Sequence, residues 1–287
     1  MDYQLGATES VPKAFDRLGS EIIAEIRAGV ALDNAEGTHQ ARKGCKWLRA
    51  LLRLLRTGLD AGSSATQRGR IRRVARMLGT VRDATIRLTA FRSLGLTAFE
   101  SLEKQLEAEA EAEQSQQSGR EGRQKLQTAI DTLERGWKSL RLKRARWRQV
   151  TAGIERSYRR ARRGLRRAER DPSDLNLHEW RKRSKELMYH VRLLRPIKPK
   201  RMSELEKDLD DLSDWLGYDH DLIVLSGYIR QYGQLKKAER EDLRNTVHKH
   251  RKEHLTAARH AAAIIFEPKP ADFARELKRW SKRWRAR

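Results

Sequence analysis

The chain has 287 residues, with 63 lysines and arginines against 39 aspartates and glutamates, a formal net charge of +24. Apolar residues make up 38% and charged residues 36%, enough for amphipathic helices but lean for a thick core. No apolar run approaches the ~20 residues of a membrane-spanning helix, and the single cysteine, Cys45, excludes an intramolecular disulfide or a thiolate metal cluster.

Ala, Leu, Arg, Glu, Lys and Gln dominate, so helix is expected almost throughout. Val11 to Ala31 reads as the first helix, with Phe15, Leu18, Ile22, Ile26 and Val30 on one face and Pro12 in the first turn. Asp33 to Gly37 reads as a turn, and Thr38 as the N-cap of a second helix that runs to about Arg56. That helix has an apolar stripe of Cys45, Leu48, Leu52 and Leu55, where Cys45 is expected to be a packed, inert thiol. On its other side His39, Arg42, Lys43, Lys46 and Arg53 fall within an arc of roughly 100°. No carboxylate lies between His39 and Arg56, so these cations lack the usual partners four residues away.

Gly58 and Gly62-Ser63-Ser64 read as the linker to an arginine-rich helix, about Ala65 to Leu78. Gly79 interrupts it and Val81 to Phe91 continues as another helix. From Ala98 to Glu113 the chain is acidic, a helix that either docks on a basic face of the protein or stays solvated. Gln114 to Gly122 reads as a loop, and Gln124 to Trp137 as a helix.

Residues 1–140 carry 23 basic and 18 acidic groups, while residues 141–287 carry 40 and 21, so the positive charge is concentrated in the second half. Val150, Ile154, Tyr158, Ala161, Leu165 and Ala168 keep helical spacing through the very basic stretch 141–170. Leu177 to Arg195, Met202 to Leu216, His220 to Tyr232, Ala238 to Phe266 and a last helix after Pro270 complete the expectation, with Gly217 as a stop.

Two motifs recur at nearly one interval. His39-x-x-Arg42-Lys43-x-x-Lys46, with Arg53, matches His178-x-x-Arg181-Lys182-x-x-Lys185, with Arg192, at an offset of 139. Leu78-Gly79-x-x-Arg82-Asp83 matches Leu216-Gly217-x-x-His220-Asp221 at an offset of 138. Two motifs repeating at the same distance point to an internal duplication. In the second copy Glu179 and Glu186 stand beside the cationic stripe rather than opposing it. A cationic stripe recurring in phase suggests a surface kept for anions.

The repeated stripe, each copy followed by Leu-Gly-x-x-(Arg/His)-Asp, resembles the CHAD family, the conserved-histidine α-helical domain, over roughly Val11 to Arg285. The resemblance implies an all-α fold of two four-helix-bundle-like repeats, about residues 11–140 and 141–285 of a single domain, related by a pseudo-twofold axis around a basic groove or pore. It implies binding of inorganic polyphosphate. The implied binding residues are His39, Arg42, Lys43, Lys46, Arg49 and Arg53, then His178, Arg181, Lys182, Lys185 and Arg192; Arg82 and His220 join them from the second motif. Met188 departs from the pattern, since the first copy has Arg49 there.

The chemistry suits binding, because guanidinium forks and ammonium groups read charge and phosphate geometry. Phosphoryl transfer needs carboxylates to hold Mg²⁺, and neither stripe supplies them; no G-x-x-x-x-G-K-[ST] loop is present. A non-enzymatic protein without cofactor is therefore expected. His248, His250 and His254 cluster, but Lys249, Arg251 and Lys252 would repel a metal ion. The rival reading is a non-specific nucleic-acid-binding helical protein, which the net charge supports equally. A soluble, cytoplasmic protein that can associate with polyphosphate granules, without membrane insertion, is the expected setting.

Overall fold

The computed structural model describes residues 3–79, 83–96, 98–116, 120–142, 145–233 and 235–286. Among them the chain is helical, without strands. The order is α1 (Val11–Ala31), α2 (Ala35–Leu54), a 3-10 turn (Arg56–Gly58), α3 (Ala61–Met77), α4 (Asp83–Arg92), α5 (Glu100–Gln116) and α6 (Arg120–Ser139). Then follow α7 (Trp147–Arg170), α8 (Asp174–Leu193), a 3-10 turn (Arg195–Ile197), α9 (Pro199–Gln231), α10 (Lys237–Ile265) and α11 (Pro270–Arg285). No described helix is long and apolar enough to cross a membrane.

Local chemistry moves several helix ends from where the sequence pattern puts them. Asn34, not Thr38, caps α2, because its side chain accepts the Gly37 N–H at 2.8 Å. Asp60 accepts the Ser63 N–H at 2.8 Å, so Gly62-Ser63-Ser64 is the first turn of α3 rather than a linker. Residues 114–116 continue α5, and residues 120–122 open α6. The largest difference is α9, which runs through Gly217 without a stop. An interior glycine costs about 1 kcal/mol, whereas burying a leucine contributes about 1.5–3 kcal/mol. Leu216 and Leu222 are both buried, and the buried Asp219 between them holds Arg251 of α10 at 2.8 Å.

Two apolar clusters form the interior, each drawing on both halves of the chain. The larger takes α1, α2, α3, α6, α7, α8, the first half of α9, the end of α10 and α11. The smaller takes Phe91 of α4, Leu94 after it, Phe99, Leu102 and Leu106 around α5, Leu222, Leu225 and Ile229 of α9, and Leu243 and Val247 of α10. Helix α9 therefore passes from one cluster to the other between Leu216 and Leu222. The acidic helix docks on a basic face: Glu109 pairs with Arg87 at 2.8 Å, and Glu103 and Glu107 with Arg92.

The α1–α2 hairpin closes tightly because Gly29 and Gly37 face each other; a Cβ on Gly37 would stand 2.2 Å from the Gly29 carbonyl oxygen. Opposite this hairpin, α2 meets α7 and α8 at a fully buried imidazole. His190 Nε2 lies 2.8 Å from the Ala50 carbonyl of α2, and its Nδ1 lies 2.6 Å from Ser157 Oγ of α7. A neutral ring satisfies both, with Nε2–H donating to the carbonyl and Nδ1 accepting from the hydroxyl. Burial pushes the His190 pKa below its ordinary value, ahead of an opposing influence from Glu186.

The unfolded chain thus binds a proton here more readily than the folded one. The stability is present in full above the ordinary imidazole pKa of about 6.5 and is lost as pH falls below it. Urea titrations across pH 7.5 to about 5 are expected to show this loss in the parent and a shallower one in His190→Gln. Identical slopes would remove His190 from the account.

Candidate functional site

Both motif helices bury their apolar faces. Cys45, Leu48 and Leu52 of α2 are fully enclosed, as are Leu187 and Val191 of α8. Burial pushes the Cys45 thiol up to about 12, so it is an inert packing residue. The cationic stripes remain at the surface. His39 and Lys182 are exposed; Arg42, Lys43, Lys46, Arg49, Arg53, His178, Arg181, Lys185 and Arg192 are half-buried. Arg82 lies outside the described residues.

The two sequence motifs meet in space. Arg42 donates from Nη1 to the Leu78 carbonyl at 2.9 Å, at the C-terminal end of α3, where cations are favoured. A Cβ on Gly79 would stand 3.3 Å from that guanidinium. In the second half, Arg181 lies over Gly217, where a Cβ would stand 3.4 Å from its Nη2. The Leu-Gly pair thus leaves helix backbone bare for the motif arginine to lie against. His178 and His220 are also brought together, with ring centroids 4.7 Å apart. Among the described residues neither Nδ1 has a hydrogen-bond partner, and the His220 Nδ1 to Asp221 distance of 3.6 Å is too long for one. Burial, then Lys182, His220 and Arg181, pull the His178 pKa down to about 4.

The stripes are not the unpaired rows that their sequence suggests. Lys182 pairs with Glu179 at 2.9 Å and Lys185 with Asp214 at 3.7 Å. Arg53 reaches across to Glu186 of α8 at 2.7 Å, and Arg192 pairs with Glu206 of α9. These pairs differ in how readily an anion could replace them. The Lys182 pair is exposed and worth about 0–1 kcal/mol. The Glu186 side chain is only 5% exposed, and stripping partners from a buried carboxylate costs roughly 3–5 kcal/mol. Arg53 and Arg192 therefore chiefly position the helices, while Lys182 is available for exchange. Lys185 stands between these extremes; burial first, then Arg181, lower its pKa against the pull of Asp214.

Further cations join the site that the motif spacing did not identify. Glu186 also takes Arg183 at 3.3 Å and Arg160 of α7 at 3.9 Å. Arg156 donates to the Leu54 carbonyl at 3.3 Å. Burial, and then neighbouring arginines, lower the pKa of both Arg156 and Arg160. Arg53-Leu-Leu-Arg56 recurs as Arg192-Leu-Leu-Arg195 at the same 139-residue offset, a signal that reaches Arg56 and Arg195 but none of Arg156, Arg160 and Arg183. Between the stripes stands Tyr189, whose phenol burial pushes up to about 12 and which feels Arg192, Arg49 and Arg181. His254 lies against exposed Trp215 and Tyr218, with the His250 ring 6.3 Å from its own, and the described residues contain no group of three or more His, Cys, Asp or Glu side chains placed to hold a metal ion.

The CHAD domain family model matches residues 13–230, more than half of the chain and inclusive of both stripes. The crystal structure of the CHAD domain from the plant Ricinus communis is similar, with a TM-score of 0.60 and 19% identity over 98% of this chain and 95% of that one. PptA from Streptomyces chartreusis gives a TM-score of 0.63 and 15% identity over 88% of this chain and 96% of that one. At these identities the likeness is one of fold. No curated protein matches.

Lys182 is the second cause, after burial, of the low His178 pKa. In Lys182→Met, NMR titration of the imidazole is expected to show that pKa rising while staying below about 6.5, because the burial remains. An unchanged value would mean that burial alone sets it.

Proposed function

Since the chain belongs to the CHAD family, we propose that it binds inorganic polyphosphate in a basic groove formed by α2 and α8 of two pseudo-twofold-related repeats. The observation that carries this reading is the paired seating of the motif arginines, Arg42 against Leu78-Gly79 and Arg181 against Gly217. The Arg42 guanidinium is bonded to the Leu78 carbonyl and that of Arg181 packs close over Gly217, so both are placed before any ligand arrives. Preorganised forks recognise phosphate oxygens with little ordering cost.

The repeat relation gains support from a reciprocal contact. Arg53 meets Glu186, while Arg192, 139 residues beyond Arg53, lies 6.0 Å over the ring of Trp47, 139 residues before Glu186. A twofold axis produces such an exchange of contacts. The family's association with polyphosphate supports the choice of ligand. A phosphate polymer has no bases to read, and His39, Lys43, Lys46, Arg181, Lys182 and Lys185 offer charge and forks rather than stacking faces. The binding reading carries no catalytic step, and it places the protein where polyphosphate accumulates, including granules.

Replacing Arg181, Lys182 and Lys185 by Ala is expected to weaken polyphosphate binding about tenfold or more, at roughly 0.5–1 kcal/mol per contact. The control removes the same charge from α10 as Arg244→Ala, Lys249→Ala and Lys252→Ala, with circular dichroism to check helicity in both. Equal losses would assign the binding to total charge. Incubation of the protein with polyphosphate and Mg²⁺ is expected to release no orthophosphate above the rate without protein; release would make the protein a hydrolase.

A further inference from the structure

Helix α7 carries a third cationic stripe with the spacing of the two motif stripes. Arg159, Arg162, Arg163 and Arg166 stand at offsets 0, +3, +4 and +7, as do His39, Arg42, Lys43 and Lys46. At ~100° per residue they share one face of the helix, beside the buried face of Tyr158, Ala161 and Leu165. Here the stripe is entirely arginine. It borders a half-open groove of about 190 Å³ against Pro270, the first residue of α11. Arg159 pairs with Glu155. No carboxylate pairs with Arg162, Arg163 or Arg166 among the described residues.

This face is not isolated from the motif helices. Arg160 and Arg156 on the adjacent side of α7 reach Glu186 and the Leu54 carbonyl, so they border the place where Arg53 crosses to α8. From Arg160 to Arg163 is a step of about 60° around one helix, less than one turn along it. Arginine therefore follows arginine from the α2–α8 crossing to the α7–α11 seam. Three unpaired guanidinia on one face repel one another, and a polyanion relieves that repulsion.

We infer that the Arg159–Arg162–Arg163–Arg166 face of α7 is a second phosphate-chain site, engaged by polyphosphate long enough to pass from the motif helices across α7. The inference rests on the reading of α2 and α8 as the first site. A chain already held there meets the α7 arginines at a high effective concentration, so weak exposed contacts add to its affinity without serving as a docking point of their own. The consequence is a length preference: long chains use both faces, and short ones only the first.

The test uses the full chain and two probes, tripolyphosphate and long-chain polyphosphate. The variant Arg162→Ala/Arg163→Ala/Arg166→Ala leaves the Arg159–Glu155 pair in place, and alanine keeps α7 helical. It is expected to bind tripolyphosphate as the parent does, to bind the long chain about tenfold more weakly, and to show a flatter dependence of long-chain affinity on salt. The Arg244→Ala/Lys249→Ala/Lys252→Ala control should leave the long-chain affinity much less affected. Long-chain binding equal to the parent's, or an equal loss in the control, overturns the inference, as does an equal loss for both probes. If the Arg181/Lys182/Lys185 variant instead leaves tripolyphosphate binding intact, the first site is misassigned, and that failure is read independently of the α7 result.

Discussion

The contact between α2 and α8 is the constraint on which the rest depends. His190 ties α8 to the Ala50 carbonyl of α2 and to Ser157 of α7, and Glu186 draws Arg53 across the same boundary. An apolar side chain at His190 would remove both cross-helix bonds, at roughly 0.5–1.5 kcal/mol each, although the Ser157 hydroxyl would keep the Gly153 carbonyl at 3.2 Å as an acceptor. The apolar faces of both helices turn inward, so their cationic faces lie outside that packing. Position, rather than charge alone, is what this packing supplies. A basic chain can gather anions anywhere; this one holds Arg42 and Arg181 against backbone that its glycines leave bare.

The cost of gathering so many cations is visible in the protonation of the site. His178 is held near a pKa of about 4 by burial and by the cations around it. Burial and neighbouring positive charge also lower the pKa of Arg160 and Lys185. Burial works against ionisation of Glu186 as well, yet the surrounding positive groups outweigh it and keep its pKa below the ordinary carboxylate range. Carboxylates neutralise part of this charge internally. The exposed Lys182–Glu179 pair can open cheaply, whereas the enclosed Arg192–Glu206 pair cannot. A phosphate chain entering such a surface would replace the weaker internal partners first, and would favour the protonated form of a nearby imidazole.

Periodicity made the helical class, the apolar faces of α1 and α2, and the two stripes legible, because 3.6-residue spacing is a local signal. Distant partners were not legible. Asp214 and Glu206 meet Lys185 and Arg192 across 29 and 14 residues of sequence, and Glu186, which the helical wheel sets beside its own stripe, serves Arg53 from the other half. Gly217 resembles a helix stop because glycine lowers local propensity; tertiary burial of Leu216, Asp219 and Leu222 overrides it. Gly62-Ser63-Ser64 misled for a related reason, since one cap from Asp60 is enough to make those residues a first turn. The α7 arginines lie in the very basic stretch 141–170, whose helical spacing does not say what they face. They are largely exposed, but only the structure shows Pro270 walling their seam.

The most direct measurement is competition between long-chain polyphosphate and duplex DNA for the full chain, at matched phosphate concentration and physiological salt. Both polymers offer phosphate charge, so recognition by net charge alone predicts equal displacement per phosphate. Guanidinia fixed against Gly79 and Gly217 should instead suit a narrow, flexible phosphate chain better than a wide duplex, and polyphosphate should displace DNA at well below equal phosphate. Equal displacement, or preference for DNA, would contradict the account.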